Sequence, residues 1–124
     1  MLIGKLTKPI ILTLSLVTFG IGQDSRDQTI QITFPITGSV IDTNFVNVTF
    51  TVASFFELGD PQNQEGDGYA VIYLDDISQA VAYSVTPVTV SGLTEGIHDL
   101  KIELVDLNGA SFSPAVLDTA TFIV

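Results

Sequence analysis

Residues 98–109, with the sequence HDLKIELVDLNG, decide the fold class of this chain. Positions 98, 100, 102 and 104 alternate with charged residues at 99, 101 and 103. A period of two residues is typical of a β-strand with one buried face. The segment Asp106–Gly109 that follows contains Asn-Gly, a strong hairpin signal. The stretch therefore predicts a strand that leads directly into an antiparallel partner.

The same pattern of short β-rich segments separated by turns extends in both directions. No segment beyond residue 22 has a helical period. Such a series predicts an all-β chain, an immunoglobulin-like antiparallel β-sandwich of about seven strands, with an antiparallel barrel as the alternative. The predicted strands are Thr29–Phe34, Asn44–Val52, Tyr69–Leu74, Val81–Val85, Val88–Val90, His98–Val105 and Ala115–Val124.

The N-terminus predicts an export signal. Lys5 and Lys8 precede a short apolar run over residues 9–19, and Gly20 and Gly22 supply small residues before a polar stretch. The run is shorter than the ~20 residues that span a bilayer, which argues against a membrane anchor. We predict a signal peptide over residues 1–22, a polar tail over 23–28 and one domain over 29–124. The mature chain is then secreted or displayed at the cell surface, with no membrane insertion.

The amino-acid composition excludes several classes of function and partner. The 124 residues contain 14 acidic and four basic residues, and loss of the signal peptide leaves only Arg26 and Lys101 as cations. This balance excludes a nucleic-acid partner, whose phosphates need a basic surface. The absence of Cys excludes disulfides and thiol catalysis. With a single His and no Trp, the composition favours a binding or structural module over an enzyme.

Two motifs carry a family resemblance. The first is YLDD at residues 73–76, and the second is GLTEGIH at residues 92–98. Together they resemble the bacterial immunoglobulin-like repeats of large surface proteins, in the variant found in secreted proteins of Bacteroidetes. The resemblance covers residues 29–124 and implies a non-catalytic module for adhesion, spacing or self-assembly. Relatives often carry Gly-His-x-His where this chain has Gly68-Tyr69-Ala70-Val71, so no role of those histidines transfers.

Acidic residues suggest a calcium site. We expect them to crowd one end of the sandwich, where carboxylates and loop carbonyls together offer the oxygen ligands that calcium prefers. Their spacing departs from the EF-hand pattern, and a solvated acidic loop is the alternative. The candidate ligands are Asp60, Glu65, Asp67, Asp75 and Asp76.

Aromatic residues suggest a second kind of site, for a glycan or a protein partner. Tyr69 and Tyr73 share one face of a predicted strand, so they either present an open surface or fill the core. Of the adjacent Phe55 and Phe56, we expect one ring to be buried and the other exposed. The lone His98 is expected to cap a turn at the sandwich edge rather than to act as a catalytic base.

Strand edges suggest a third kind of contact, with other protein chains. The first predicted strand, Thr29–Phe34, follows the polar tail and has an edge that can be exchanged between copies of the chain. This predicts self-association, with a filament or surface-layer subunit as one form. Glycoside hydrolysis by paired carboxylates is disfavoured because a sandwich of this size offers little cleft.

Overall fold

A computed structural model describes residues 29–124. The predicted signal peptide and polar tail lie outside the described residues. No helix in the described part of the chain is long and apolar enough to cross a membrane. The strands are β1 (Ile30–Phe34), β2 (Phe45–Val52), β3 (Tyr69–Leu74), β4 (Ile77–Ala82), β5 (Val88–Ser91), β6 (Ile97–Val105) and β7 (Ser111–Ile123).

The strands form two sheets, ordered β1-β2-β5 and β4-β3-β6-β7, with antiparallel pairing throughout. The third, sixth and seventh strands therefore share one sheet, while the second and fifth share the other. Two sheets connected in this way confirm the predicted immunoglobulin-like sandwich, and the barrel alternative is wrong.

The core lies between the sheets and follows the predicted alternation. In β2, Val46, Val48 and Phe50 point inward, and their neighbours point outward. The inward residues of β6 are flanked across the sheet by Ile72 of β3 and Phe122 of β7, both fully buried. Burying each such side chain contributes about 1.5–3 kcal/mol. The core includes Leu100, Ile102, Leu104, Ala70, Val90 and Ala120.

Two strands begin earlier than the sequence predicted, and the first of them, β4, also ends earlier, at Ala82 rather than Val85. β4 begins at Ile77, because Asp75 and Asp76 alone form the turn, with φ of 52° and 68°. Positive φ at both central residues is the signature of a type I′ hairpin turn, which lets the next strand start at once. β7 begins at Ser111 and accommodates Pro114, because it is an edge strand with an irregular register near β6's end.

One side of the sandwich is closed by bonds between the sheets. The segment over residues 38–41 pairs with the end of β7, where Gly38 N–H donates to Thr121 C=O at 2.8 Å and Ile41 N–H donates to Ile123 C=O at 2.8 Å. On the same side of the sandwich, the N–H of Ile32 in β1 donates to Asp118 Oδ2 of β7 at 2.8 Å. The edges of β1 and β7 are therefore partly satisfied within the chain.

Candidate functional site

The outer face of the four-stranded sheet carries three tyrosines. Tyr69 and Tyr73 point away from the core, whose positions on β3 are taken by Ala70 and Ile72. The Tyr83 ring packs edge-on against Tyr69, with centroids 5.6 Å apart and an interplanar angle of 81°. The alternative that the β3 tyrosines fill the core is therefore wrong. We call the surface formed by the side chains of Tyr69, Tyr73 and Tyr83 the tyrosine face.

Charged residues of β6 lie beside these rings. Lys101 pairs with Tyr73 in register, and its Nζ lies 4.5 Å from the Tyr73 ring centroid. This cation–π contact occupies one face of that ring. Glu103 lies opposite Val71 and is only 8 % exposed. The tyrosine face is therefore an amphipathic surface, with aromatic rings around one cation and one largely covered carboxylate.

The two phenylalanines that follow β2 differ in burial. Phe56 is 5 % exposed and packs edge-on against Phe112, with ring centroids 5.9 Å apart. Phe56 therefore belongs to the core and offers no surface to a glycan or a protein partner. Phe55 is 45 % exposed and keeps an open ring. The expectation of one buried and one exposed ring is thus met by this pair.

The carboxylates of the acidic loop, residues 59–68, hold the loop together. Asp67 Oδ2 accepts a bond from Glu57 N–H at 2.8 Å, and Asp67 N–H donates to Glu57 C=O at 2.7 Å. Asp60 Oδ1 accepts from Gln62 N–H at 2.9 Å. A Cβ on Gly59 would clash with the carbonyl oxygen of Glu65, so the loop closes tightly on its own backbone.

The five candidate calcium ligands do not meet. The acidic loop leads into the start of β3, whereas Asp75 and Asp76 follow its end. A six-residue strand separates these places by about 17 Å. Among residues 29–124, no three His, Cys, Asp or Glu side chains form a group suited to a metal. The expectation that these acids crowd one end of the sandwich was wrong, because β3 runs between them.

The lone histidine takes part in a buried network instead. His98 is 6 % exposed, and its ring lies 5.7 Å from that of Phe122. Its Nδ1 lies 2.7 Å from Asp75 Oδ2, and its Nε2 lies 2.6 Å from the carbonyl oxygen of Thr94. A carboxylate and a carbonyl are both acceptors, so both ring nitrogens act as donors only when the imidazole is protonated. The geometry therefore fits a histidine cation.

The pKa directions agree with this geometry. The Thr94 carbonyl bond and then the Asp75 bond raise the pKa of His98 above its ordinary value of 6.5. The Asp99 N–H, which donates to Asp75 Oδ1 at 2.8 Å, is the main cause that lowers the pKa of Asp75, and His98 adds to it. Both ring nitrogens are engaged, so the ring has no free lone pair to act as a general base.

This network joins the two sequence motifs. Asp75 comes from YLDD, while Thr94 and His98 come from GLTEGIH. Within the second motif, Gly96 has φ of 125°, which only glycine adopts readily, and its N–H donates to the Val124 carbonyl at 3.0 Å. The motifs therefore form one structural joint between the β3–β4 turn and the start of β6. The sequence predicted a turn-capping role for His98 but did not identify Asp75 as its partner.

A shallow apolar groove of about 490 Å³ lies on the other sheet. The exposed rings of Phe34 and Phe45 contribute to its lining, beside Asp42 and Asn47. The sequence did not single out this groove, because its residues come from separate strand ends and from the segment that follows β1.

Comparison with known proteins reveals the fold and no family. No family model matches the chain, and no curated protein does. Among solved structures, the fibronectin(III)-like modules of CbhA from Clostridium thermocellum superpose with a TM-score of 0.59 at 16 % identity, covering 77 % of this chain and 94 % of that one. The endo-β-1,4-mannanase of Thermotoga petrophila superposes with a TM-score of 0.53 at 14 % identity, covering 98 % of this chain.

The chain has the fold of a fibronectin(III)-like module, within the immunoglobulin-like group of sandwiches. It spans 94 % of the CbhA module but only 31 % of the mannanase chain. None of these comparisons supports the narrower assignment to the Bacteroidetes type. At such low identities the likeness shows the fold alone.

Proposed function

We propose that this chain is a non-catalytic, exported immunoglobulin-like module that acts by contacting other macromolecules through its tyrosine face. Adhesion and spacing at the cell surface are the roles that fit such a module. The export step rests on the predicted signal peptide over residues 1–22.

The observation that carries this proposal is the state of the only histidine. His98 is buried, and both of its ring nitrogens are bonded to acceptors within the chain. An acid–base catalyst needs a group that reaches the substrate and exchanges a proton with it. In the described residues, His98 and Asp75 are instead committed to joining two turns, which supports a structural role.

The tyrosine face supports a contacting role. Tyrosine combines a large apolar ring with a polar hydroxyl and is enriched at protein interfaces. Tyr83, directly after β4, is exposed and packs against Tyr69, while Tyr69 and Tyr73 on β3 are half-buried. The likeness to modules of a larger protein, CbhA, is consistent with a part that presents a surface rather than performs chemistry.

A glycan is the second candidate partner. The exposed ring of Tyr83, beside the half-buried ring of Tyr69, is suited to stacking on the apolar face of a sugar. The second structural neighbour is an endo-β-1,4-mannanase, so a β-1,4-linked mannan is a reasonable first probe. The face also carries Lys101 and Glu103, which supply polar groups beside the rings.

Sedimentation with the cell envelope of the producing organism tests the main proposal. The exported chain, residues 23–124, is expected to co-sediment with envelopes, and Tyr73→Ala is expected to lower the bound fraction several-fold. Gln31→Ala is the matched control, because Gln31 is exposed on the opposite sheet. Unchanged binding of Tyr73→Ala would overturn the role of the tyrosine face. If the wild-type chain shows hydrolytic activity and a folded Asp75→Asn variant loses it, the non-catalytic assignment is wrong.

Affinity electrophoresis in gels containing soluble mannan tests the second candidate. Retardation that is reduced in Tyr69→Ala and kept in Gln31→Ala would favour the glycan partner. Equal migration with and without mannan would remove this polysaccharide as a ligand while leaving a protein partner in place.

A further inference from the structure

Glu103 is a buried carboxylate on the outer side of the four-stranded sheet. Its neighbours in β6, Ile102 and Leu104, take the inward positions, so the Glu103 side chain lies on the same side as the tyrosine face. Only 8 % of Glu103 is exposed, and a glutamate is rarely covered to this extent unless it is paired. Removing a carboxylate from water is costly unless a donor or a cation compensates for the lost hydration.

The Glu103 carboxylate has no such partner within residues 29–124. The ion pair in this part of the chain joins His98 to Asp75, and no hydrogen bond reaches the Glu103 carboxylate. The residues opposite Glu103 in β3 and β7 are Val71 and Leu117, which carry no donor on their side chains. A covered carboxylate without a donor therefore lies at the centre of this side of the sheet.

The nearest cation in the sequence does not compensate for it. Lys101 lies two positions before Glu103 on the same side of β6, and its Nζ lies over the Tyr73 ring, 4.5 Å from the centroid. The contact shows that a ring of the tyrosine face accepts a cation. Tyr69 and Tyr83 supply two further rings, and no cation of residues 29–124 lies over either of them.

The charge of the molecule favours a basic partner. Residues 29–124 contain 12 acidic side chains, one lysine and no arginine. Such an excess attracts a positively charged protein and increases the rate of encounter, whereas it repels an acidic one. A basic partner also brings the group that Glu103 lacks.

We propose that the tyrosine face binds an arginine-bearing segment of a partner protein, whose guanidinium donates to the Glu103 carboxylate and stacks on the ring of Tyr69 or Tyr83. Arginine fits better than lysine because its planar group donates two parallel bonds to a carboxylate, stacks on aromatic rings and is weakly hydrated. The inference deepens the proposed function by naming the chemistry of the partner, and it rests on that function.

The partner reaches Glu103 by displacing side chains at the surface. Leu117 is 44 % exposed and Lys101 is partly exposed, and these two residues flank the carboxylate on the outer side of the sheet. Exposed side chains change rotamer within nanoseconds, so this opening needs no change in the backbone or the core. Binding then replaces the missing compensation with a charge-assisted pair in an environment that is poor in water.

Isothermal titration calorimetry of the exported chain, residues 23–124, tests the proposal. The probe is a short synthetic peptide in which arginine alternates with threonine, and the same peptide with citrulline is its uncharged counterpart. We expect the arginine peptide to bind at least about tenfold more tightly than the citrulline peptide. Glu103→Gln is expected to weaken binding of the arginine peptide by about tenfold. Glu95→Gln removes the same charge at an exposed position of the β5–β6 turn and is expected to leave the affinity unchanged.

Lys101→Met adds a result that a change in net charge at Glu103 cannot produce. This variant frees the Tyr73 ring and removes a like charge beside the carboxylate, so it is expected to bind the arginine peptide several-fold more tightly. Thermal melts verify that every variant is folded.

Two results would overturn the proposal. The first is a folded wild-type chain that does not distinguish the arginine peptide from the citrulline peptide. The second is an equal loss of affinity in Glu103→Gln and Glu95→Gln, which would reduce the effect of Glu103 to net charge. The assay contains no envelopes, so its failure is distinct from failure of the proposed function. Envelope binding lost in Tyr73→Ala, with no binding of the arginine peptide, would keep that function and overturn only the arginine-bearing partner.

Discussion

The two ends of β3 both carry a group of acidic residues, yet they use them differently. At the start of the strand, Asp60 and Asp67 accept bonds from backbone N–H groups within one loop. At its end, Asp75 bonds the buried His98, which lies 23 positions away along the chain. The first arrangement shapes a local loop, whereas the second joins distant turns. The same residue type thus supports local or long-range structure, depending on what the sheet places beside it.

The largest expected effect comes from removing the long-range joint. His98→Ala deletes two bonds to acceptors and the contact with Phe122. It should lower the free energy of unfolding by about 3 kcal/mol, because hydrogen bonds to charged groups are worth about 1.5–3 kcal/mol each and the Asp75 side chain remains partly solvated. Urea denaturation measures this loss. Glu95→Gln, an exposed neighbour, serves as the control and should leave stability unchanged.

The second effect is a pH dependence of stability at the end of β3 that carries Asp75. The pKa of His98 is raised in the folded state, so its contribution is complete below pH 6.5 and is lost as pH rises through the folded value. The pKa of Asp75 is lowered, so its contribution is complete above pH 3.8 and is lost as pH falls through the folded value. Stability from the pair is therefore greatest between these limits.

Thermal melting across the pH range measures this dependence. The melting temperature of wild type should fall as pH rises from mildly acidic to mildly alkaline. In His98→Ala the part of that decline that is due to the imidazole should disappear. An identical decline in both proteins would show that the joint does not titrate in this range.

A smaller effect is expected at the other end. Asp67→Asn keeps one acceptor oxygen but removes the charge that strengthens the bond from Glu57 N–H. We expect a loss of about 1 kcal/mol of stability, together with faster amide exchange within residues 57–68. Asp60→Asn should cost less, since its bond to Gln62 spans only two residues. A loss as large as that of His98→Ala would erase the distinction between the two ends.

The smallest expected effect is that of calcium. The two acidic groups lie at opposite ends of β3, so they cannot share one ion. Melting temperatures measured with millimolar calcium and with a chelator should agree within error. A rise that is abolished by Asp67→Asn would instead locate a calcium site in the acidic loop alone.

The sequence was sufficient for the sandwich because alternation is a local property. The inward positions of β2 and β6 can be predicted from neighbouring residues, as can the hairpin after Asp106. The start of β4 was missed because Ser78 and Gln79 are polar edge residues and do not show an alternating pattern. The propensity of a residue indicates whether that residue favours a β-strand. It carries little information about where a strand at the edge of a sheet begins.

The site was harder to predict because it depends on register. Asp75 meets His98 only because Leu74 pairs with Leu100, which brings the end of β3 beside the start of β6. Tyr73 lies beside Lys101 for the same reason. Pairing between strands far apart in sequence sets these contacts, and no single segment encodes them. The strand predicted over Tyr69–Leu74 would by itself have sufficed to place the two acidic groups at opposite ends.

Lys101 has a practical consequence. It is the single lysine among residues 29–124, and its ammonium group lies over the ring of Tyr73. Amine-reactive dyes and amine coupling to a sensor chip will therefore modify a chain of residues 23–124 almost only here and at its N-terminal amine. Such labelling reports directly on the tyrosine face, and immobilisation through this group turns that face toward the support. Binding experiments on this protein are best performed with attachment at another position.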